Sequence, residues 1–427
     1  MSSPPSPDPN LAPANNARLK CALLLNFVVL AVLLNSVGAV ALHVQRTFGV
    51  SQSAAGLLAV CKSVGIAAAS FVAALQLTHF GYRRTMLVAL AALTVVCLVV
   101  PSVPDFAMMK LLFAVAGAGF ALIKVSVYAS VGLVTTDRKS HASFMSILES
   151  GFTLGVVAGS FLFSAFIDEV HPTSTAWLKV FYLVAALSAL AGILLLGVRL
   201  DESRLAGGPA DTWRDRMHAM GGLSLRRAVL VFGGCVFCYV VVEQSIMNWL
   251  PTFNAQVFHL PAWLSIQMAS LLTISMVLGR VLAGFVLRRL AWFPVLAFCL
   301  VAAAVLVVLG LSLARGPTAA PVTGWFDAPI SVMVFPLMGF FVAPIFPVIN
   351  SVMLSSVPVA RHAAMSGLGV IFSAAGSALG TFGLGYLFQV YGGRDAFYFT
   401  LIPLAGLLGA LALFNRQARD PTPPLPG

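Results

Sequence analysis

RLDESRLAGGPADTWRDRMHAMGGLSLRR, residues 199–227, is the longest charged, glycine-containing stretch of the chain and is too polar to cross a bilayer. What flanks it is apolar on both sides. A hydrocarbon core about 30 Å thick takes roughly 20 residues at 1.5 Å rise to span. Upstream, apolar runs of that length recur near 19–42, 52–78, 84–101, 106–134, 142–167 and 176–198. Downstream they recur near 228–252, 262–287, 292–314, 328–356, 363–390 and 396–414. The sequence therefore predicts an all-α membrane protein with twelve transmembrane helices, spans 1 to 12, six on either side of a polar linker. The expected organisation is a disordered tail (1–17), an N-terminal six-helix bundle (18–198), the linker (199–227), a C-terminal six-helix bundle (228–415) and a second tail (416–427).

Composition excludes the soluble alternatives. Hydrophobic residues make up 59% of 427 positions and charged residues 9%, against roughly 45–50% and 25% in a soluble globular domain. Six cysteines, Cys21, Cys61, Cys97, Cys235, Cys238 and Cys299, are scattered through apolar runs rather than spaced as a disulfide scaffold. Cys235 and Cys238 form a C-x-x-C with no second cysteine or histidine pair to complete a zinc site, so they read as packing residues and no metal or cofactor is expected. The net charge of +11 comes from basic residues in short loops, which sets topology rather than a phosphate-binding face, so nucleic acid is not an expected partner. With the N-terminus inside, inner loops carry about seventeen Lys and Arg and outer loops about five (Arg46, Lys110, Lys179, Arg315, Arg394). Both termini and the loop holding Trp213 are thus expected in the cytoplasm, in a bacterial-type cytoplasmic (inner) membrane, with the lipid bilayer as surroundings and a monomer as the expected state.

The two halves repeat each other. HASFMSILESGFTLGVVAGS (141–160) in span 5 lines up without gaps on HAAMSGLGVIFSAAGSALGT (362–381) in span 11, pairing His141 with His362, Gly155 with Gly376 and Gly159 with Gly380. Spans 2 and 8 pair Gly65 with Gly279 and Phe71 with Phe285, and spans 4 and 10 pair Gly117 with Gly339. Small residues at these positions let helix backbones approach closely. Related halves about a membrane-normal axis are one construction plan of secondary transporters.

With six-plus-six spans, the chain resembles the major facilitator superfamily, whose signature loop follows span 2. Here that loop is LTHFGYRR (77–84): Gly81, Arg83 and Arg84 match Gly-x-x-x-Asp-Arg-x-Gly-x-Arg-Arg, with Thr78 where Asp is usual. The loop after span 8, GRVLAGFVLRRLAW (279–292), keeps Gly284, Arg288 and Arg289. Arginines at helix ends anchor orientation and satisfy terminal carbonyls, a gating or structural role. Within the superfamily, FCYVVVEQSIMNWLPTF (237–253), LGRVLAGFVL (278–287) and APIFPVINSV (343–352) resemble the fucose/galactose/glucose proton-symporter group. The resemblance implies the major facilitator fold, a small-molecule substrate and a coupling proton. It also implies acidic proton sites in spans 1 and 4, yet LLLNFVVLAVLLNSVGAVAL (23–42) has no acid and GFALIKVSVY (119–128) carries Lys124.

A charged side chain at the bilayer centre costs roughly 2.5–3.5 kcal/mol on insertion scales, so each one needs a reason. The spans hold Lys62, Lys124, Glu149, Glu243 and Arg280, none of them in spans 3, 6, 9 or 12. In the superfamily those four are outer supports, so the distribution is that of a water-filled substrate path. Lys62 lies about ten residues into span 2, roughly 15 Å deep and at the midplane, and is the leading substrate-binding candidate. Lys124 and Glu149 both fall in the inner half, where they either pair statically or line the path. Lys124 shares a face with Tyr128 at i+4, and Tyr128 corresponds by the repeat to Asn350. Glu243, about 16 residues into span 7, is placed in the outer half beside Gln244 and Asn248, whose carboxamides suit hydroxyl or carboxylate recognition. Arg280 is expected to be gating or structural first. Pro344 and Pro347 interrupt span 10 and free carbonyls.

No phosphate-cradling loop, nucleophile elbow or metal-spaced cluster occurs, so the chain is not expected to be an enzyme. Two-half construction and buried charges of both signs point to alternating access rather than a channel or receptor. Two lysines against one glutamate in the N-terminal half favour an organic anion, whereas the resemblance favours a sugar. The Gly-x-x-x-Gly-Pro pattern of drug exporters lacks its Pro, with Val156 in that place, so an exporter of a drug or metabolite is the lesser alternative. If transport is proton-linked, Glu243 or Glu149 carries the proton. A neighbouring ammonium keeps a carboxylate ionised, and Glu149 has Lys124 at similar depth while Glu243 has no cation in its own segment, which favours Glu243.

Overall fold

The computed structural model describes residues 11–134, 138–198, 200, 227–314, 322, 324–355 and 362–419, and every regular element among them is helical. In order these are α1 (Leu11–Leu34), α2 (Val37–Phe48), α3 (Gln52–Phe80), α4 (Tyr82–Val99), α5 (Phe106–Val134), α6 (Arg138–Ser164) and α7 (Val180–Leu196), the last led in by a 3-10 turn, Ala176–Lys179. After the linker come α8 (Arg227–Val257), α9 (Ala262–Val286), α10 (Trp292–Leu313), α11 (Val334–Val342), α12 (Ile345–Ser355), α13 (His362–Tyr398) and α14 (Leu401–Arg419). Among the described residues eleven stretches are long and apolar enough to cross a bilayer, with mean hydropathy from 1.5 to 2.8, which makes this a multi-pass membrane protein. The apolar part of α14, Leu401–Arg416, is shorter, about 24 Å long at 1.5 Å per residue. Nearly all of the linker and the outermost parts of both predicted tails, 1–10 and 420–427, lie outside the described residues.

The helices depart from the predicted spans where local chemistry intervenes. α1 begins at Leu11, inside the predicted 1–17 tail, because Pro13 falls in the first turn, where a missing N–H has no intrahelical bond to lose. Span 1 is two helices: the Asn35 carboxamide and its own backbone N–H both donate to the Ala31 carbonyl, at 3.1 and 3.3 Å, and the chain turns before α2. Span 10 breaks between α11 and α12 at Ala343 and Pro344, where proline has no N–H to continue the ladder, and Val348 N–H restarts it on the Pro344 carbonyl at 3.3 Å. α13 continues to Tyr398, with Gly392 at φ +82 marking the kink where a loop was predicted. α8 runs through Pro251 to Val257, giving 31 residues rather than the predicted 25 or so. Glu243 sits near the middle of that helix.

The chain clusters into two units, Met1–Asn35 with Val64–Gly159 and Trp177–Ala210, and Ser36–Ser63 with Ser160–Ala176 and Asp211–Gly427. Glycines set the packing in each. In the first unit, a Cβ on Gly155 would lie 2.8 Å from the Val28 carbonyl and one on Gly159 3.1 Å from that of Val32, so α6 rides directly on the α1 backbone. Likewise a Cβ on Gly65 of α3 would overlap the Ala114 carbonyl of α5. In the second unit, a Cβ on Gly376 or Gly380 of α13 would lie 2.7 or 2.6 Å from the Phe237 or Val241 carbonyl of α8, and one on Gly279 of α9 would overlap the Phe340 carbonyl of α11. Three glycine pairs of the sequence repeat, Gly155 with Gly376, Gly159 with Gly380 and Gly65 with Gly279, thus make the same kind of backbone approach in each unit.

The second unit also carries a polar tie at one end. Asp168 accepts the backbone N–H groups of His171 and Val170, both at 3.0 Å, which holds its carboxyl below its ordinary value and orders the loop after α6. Next to it, Glu169 pairs with Arg46 at 3.5 Å and accepts the first N–H groups of α9, from Ala262 and Trp263, where a carboxylate meets the positive end of the helix dipole. In the same unit Ser53 donates to Gln389 at 2.7 Å and Gln52 to Gln256 at 3.3 Å.

Candidate functional site

Lys62 of α3 is only 5% exposed inside an apolar helix, so its ammonium must be stabilised by neighbours. Its Nζ donates to Oε1 of Gln244 at 3.5 Å, and Glu243 of α8 interacts with it electrostatically. The same Gln244 oxygen receives Nδ2 of Asn248 at 3.4 Å and Oγ of Ser377 at 3.5 Å. Asn248 also donates to Oγ1 of Thr381 at 2.8 Å. The α8–α13 seam holds these donors in register: Ser245 donates to the Gly380 carbonyl at 2.9 Å and the Trp249 indole to that of Thr381 at 2.7 Å. The close approach at Gly376 and Gly380 is what brings Ser377 and Thr381 within reach of the two carboxamides.

Glu243 extends this network in the other direction. Its carboxylate accepts the Tyr239 hydroxyl at 2.6 Å, is hydrogen-bonded by Gln244, and stands 4.0 Å from the Arg280 guanidinium. Arg280 in turn donates Nε to the Ala343 carbonyl at 3.4 Å, at the break between α11 and α12. The proline interruption therefore presents a carbonyl to a cation, and Arg280 bridges that break to the carboxylate of α8. Tyr239 stacks on Phe346 of α12 at 5.6 Å; Asn350 lies one turn further along the same helix, half-buried.

The first unit holds a separate cluster. Lys124 lies over the rings of Phe120 and Tyr128, 5.2 and 5.5 Å from their centroids, one turn to either side on α5. Glu149 of α6 accepts the Tyr128 hydroxyl and interacts electrostatically with Lys124, with no ion pair within 4.0 Å. Phe27 and Phe152 complete an aromatic wall, 5.2 Å apart, with Phe27 5.8 Å from Tyr128.

The signature loops differ between units. Gly81 caps α4 with φ +83, and Arg83 donates to the Leu195 and Leu196 carbonyls at 3.2 and 2.7 Å, closing the last turn of α7. Arg84, Arg288 and Arg289 are exposed, and Arg288 stacks over Phe285 at 5.4 Å. Among the described residues no three His, Cys, Asp or Glu side chains are placed to hold a metal. Sequence reasoning missed Tyr239, Ser377, Thr381 and the Arg280 partnership. Tyr239 sits at i−4 to Glu243, and Ser377 and Thr381 each follow a repeat glycine, so one-turn spacing and the glycine seam were signals that pointed to them.

An all-helical multi-pass chain with five charged residues in its spans, Lys62 among them buried, is a membrane protein with polar clusters between its helices. Residues 22–381 match the sequence model of the Major Facilitator Superfamily, and the chain belongs to that superfamily of secondary transporters. Its fold is similar to that of nucleoside transporter NupG, at TM-score 0.70 and 17% identity over 94% of this chain and 99% of that one. It is also similar to a bacterial homolog of the human lysosomal transporter Spinster in an inward-facing, unoccupied conformation (TM-score 0.73, 14% identity, 96% and 99%). A third likeness is to FucP in the outward conformation (TM-score 0.61, 13% identity, 94% and 99%). No curated protein sequence matches this one.

Proposed function

We propose that this protein carries a small polar solute, an organic anion or a sugar, across a bacterial-type cytoplasmic membrane by alternating access coupled to protons. In this reading both termini and the 199–227 linker are cytoplasmic, and residues 18–198 and 228–415 form the two rocking bundles. The observation that carries the proposal is the buried Lys62, held by the carboxamide of Gln244 in a network with Asn248, Ser377 and Thr381. A buried cation with an organised polar surround is expensive unless a solute uses it. Lys124, Tyr128 and Asn350 are further substrate-side candidates. Contrary to the expectation from its own segment, Glu243 has cations beside it, Arg280 at 4.0 Å and Lys62; it is still the proposed coupling carboxylate because its contacts with Tyr239, Gln244 and Arg280 change when it gains a proton, and Glu149 is the second candidate.

The test is Lys62→Met. The variant should express and insert normally, because the change removes a charge from an apolar span, yet lose at least about tenfold in solute affinity. Affinity equal to wild type in purified, folded Lys62→Met protein refutes the assignment.

A further inference from the structure

The second unit is not built from the second half of the sequence alone. Ser36–Ser63 and Ser160–Ala176 precede the linker, yet they cluster with the helices that follow it. Polar bonds hold them where α8 ends and α9 begins. Glu169 accepts the Ala262 and Trp263 N–H groups at the start of α9 and pairs with Arg46 of α2 at 3.5 Å. Gln267 of α9 donates to Ser164 at 3.0 Å, Ser53 to Gln389 at 2.7 Å and Gln52 to Gln256 at 3.3 Å. All but the Arg46 pair join a residue before the linker to one after it. The same segments reach the candidate site by backbone. A Cβ on Gly38 of α2 would lie 2.8 Å from the Asn248 carbonyl of α8, and one on Gly56 of α3 3.2 Å from the Thr381 carbonyl of α13. Asn248 and Thr381 are hydrogen-bonded to each other in the Lys62 network, so α2 and α3 lie directly on the backbone that carries the site.

Resting on the proposed alternating access, with the connections 49–51, 165–175 and 258–261 facing outward, we infer that Glu169 is the latch of an outer gate. Its bonds to the start of α9 and its pair with Arg46 hold the segments before the linker on the helices after it. Their release frees Gly38 and Gly56 from Asn248 and Thr381 and opens the Lys62 network to the outside. The latch is weak enough to break and remake in each cycle: the Arg46 and Glu169 side chains are 30% and 39% exposed, and half-exposed ion pairs and helix-end charges contribute little, whereas a buried pair is costly to separate. Gate and site then move together, because the glycines that seat the gate rest on two residues of the site.

The experiment reads access to the site without a solute. In the full chain freed of its native cysteines, Ser377→Cys puts a near-isosteric thiol beside Gln244. Its rate of modification by a membrane-impermeant methanethiosulfonate, added to intact cells or to inside-out vesicles, measures how often each path is open. Glu169→Gln should raise the rate in intact cells by about threefold or more and leave the rate in inside-out vesicles no higher than before. Ala262→Pro is the more selective variant. Position 262 is the first of α9, and Pro261 before it has φ −52 and ψ 146, which suit a following proline, so the change deletes the N–H that Glu169 accepts and keeps the helix start. It should act as Glu169→Gln does, with monodisperse elution. An outer rate unchanged by both variants, with the inner rate intact, overturns the latch and leaves the transport reading standing. A rise from both sides marks general loosening and overturns the latch as well. A thiol at 377 that reacts equally fast from both sides before any latch substitution, and stays so in Glu169→Gln, describes an open pore and overturns latch and alternating access together.

Discussion

Gly380→Ala is the sharpest test of how the α8–α13 seam supports the network. A Cβ at position 380 would stand 2.6 Å from the Val241 carbonyl and 3.0 Å from both the Val241 Cα and the Ser245 hydroxyl, about 0.8 Å inside ordinary 3.4 Å contact. Two of those neighbours are backbone, so the helices must part rather than a side chain turn aside. Overpacking of this kind costs about 1–3 kcal/mol, and displacing the Ser245 bond to the Gly380 carbonyl adds roughly 0.6 kcal/mol on the membrane scale. One turn along the same helix, Gly383 has open space where its Cβ would go, and Ala there gains up to about 1 kcal/mol of helix propensity. The propensity gain is common to both variants, so they differ by the clash and the displaced bond alone, about 2–4 kcal/mol, with Gly380→Ala the less stable. Thermal unfolding of both variants in one detergent, followed by size-exclusion, measures the ordering; solute affinity should fall in Gly380→Ala as well, because Thr381 moves away from Asn248. Equal melting temperatures for the two variants refute the close-approach argument.

Glu243→Gln in proteoliposomes should lose gradient-driven accumulation by about tenfold or more while its ratio of exchange to accumulation rises, since a permanently neutral side chain cannot shuttle a proton; accumulation at the wild-type level moves the role to Glu149, tested by Glu149→Gln. For topology, a membrane-impermeant thiol reagent applied to intact cells in a cysteine-free background should label Thr318→Cys and spare Ser203→Cys, and the reverse pattern inverts the orientation. Arg83→Ala removes both bonds to the Leu195 and Leu196 carbonyls and should destabilise the first unit by about 1 kcal/mol, read as a lower melting temperature, whereas Arg84→Ala, with its side chain exposed, should leave it unchanged.

The helices were legible because hydropathy is a one-dimensional signal. Span 4 was predicted at 106–134, where α5 lies, and the interruption at Pro344 follows from a missing N–H. The glycine repeat was legible too, since a residue without a Cβ at a fixed interval says that something comes close, although not what. Helix ends were less secure. Span 7 was expected to end near 252, but α8 carries Pro251 inside it and runs on to Val257. The partnership of Arg280 with Glu243 was invisible because a helix interior records spacing along itself and not which face meets a neighbour. Glu169 was equally hidden: nothing in a loop residue's identity says that it will meet the start of a helix 93 positions later.

Lys62 and its acceptor Gln244 are 182 residues apart, and that interval sets an order of events during biosynthesis. α3 leaves the ribosome and meets the translocon long before any of α8 exists, so its ammonium enters lipid with no carboxamide or carboxylate from α8 to receive it. Until α8 arrives, the span must keep the charge at an aqueous boundary or against the insertion machinery. Assembly of the second unit is then a rescue of an already inserted helix by a late one. A chain truncated before α8 should leave α3 as the segment most readily recognised by membrane quality control, so the residue proposed to hold the solute also makes completion of the chain a condition for its own retention.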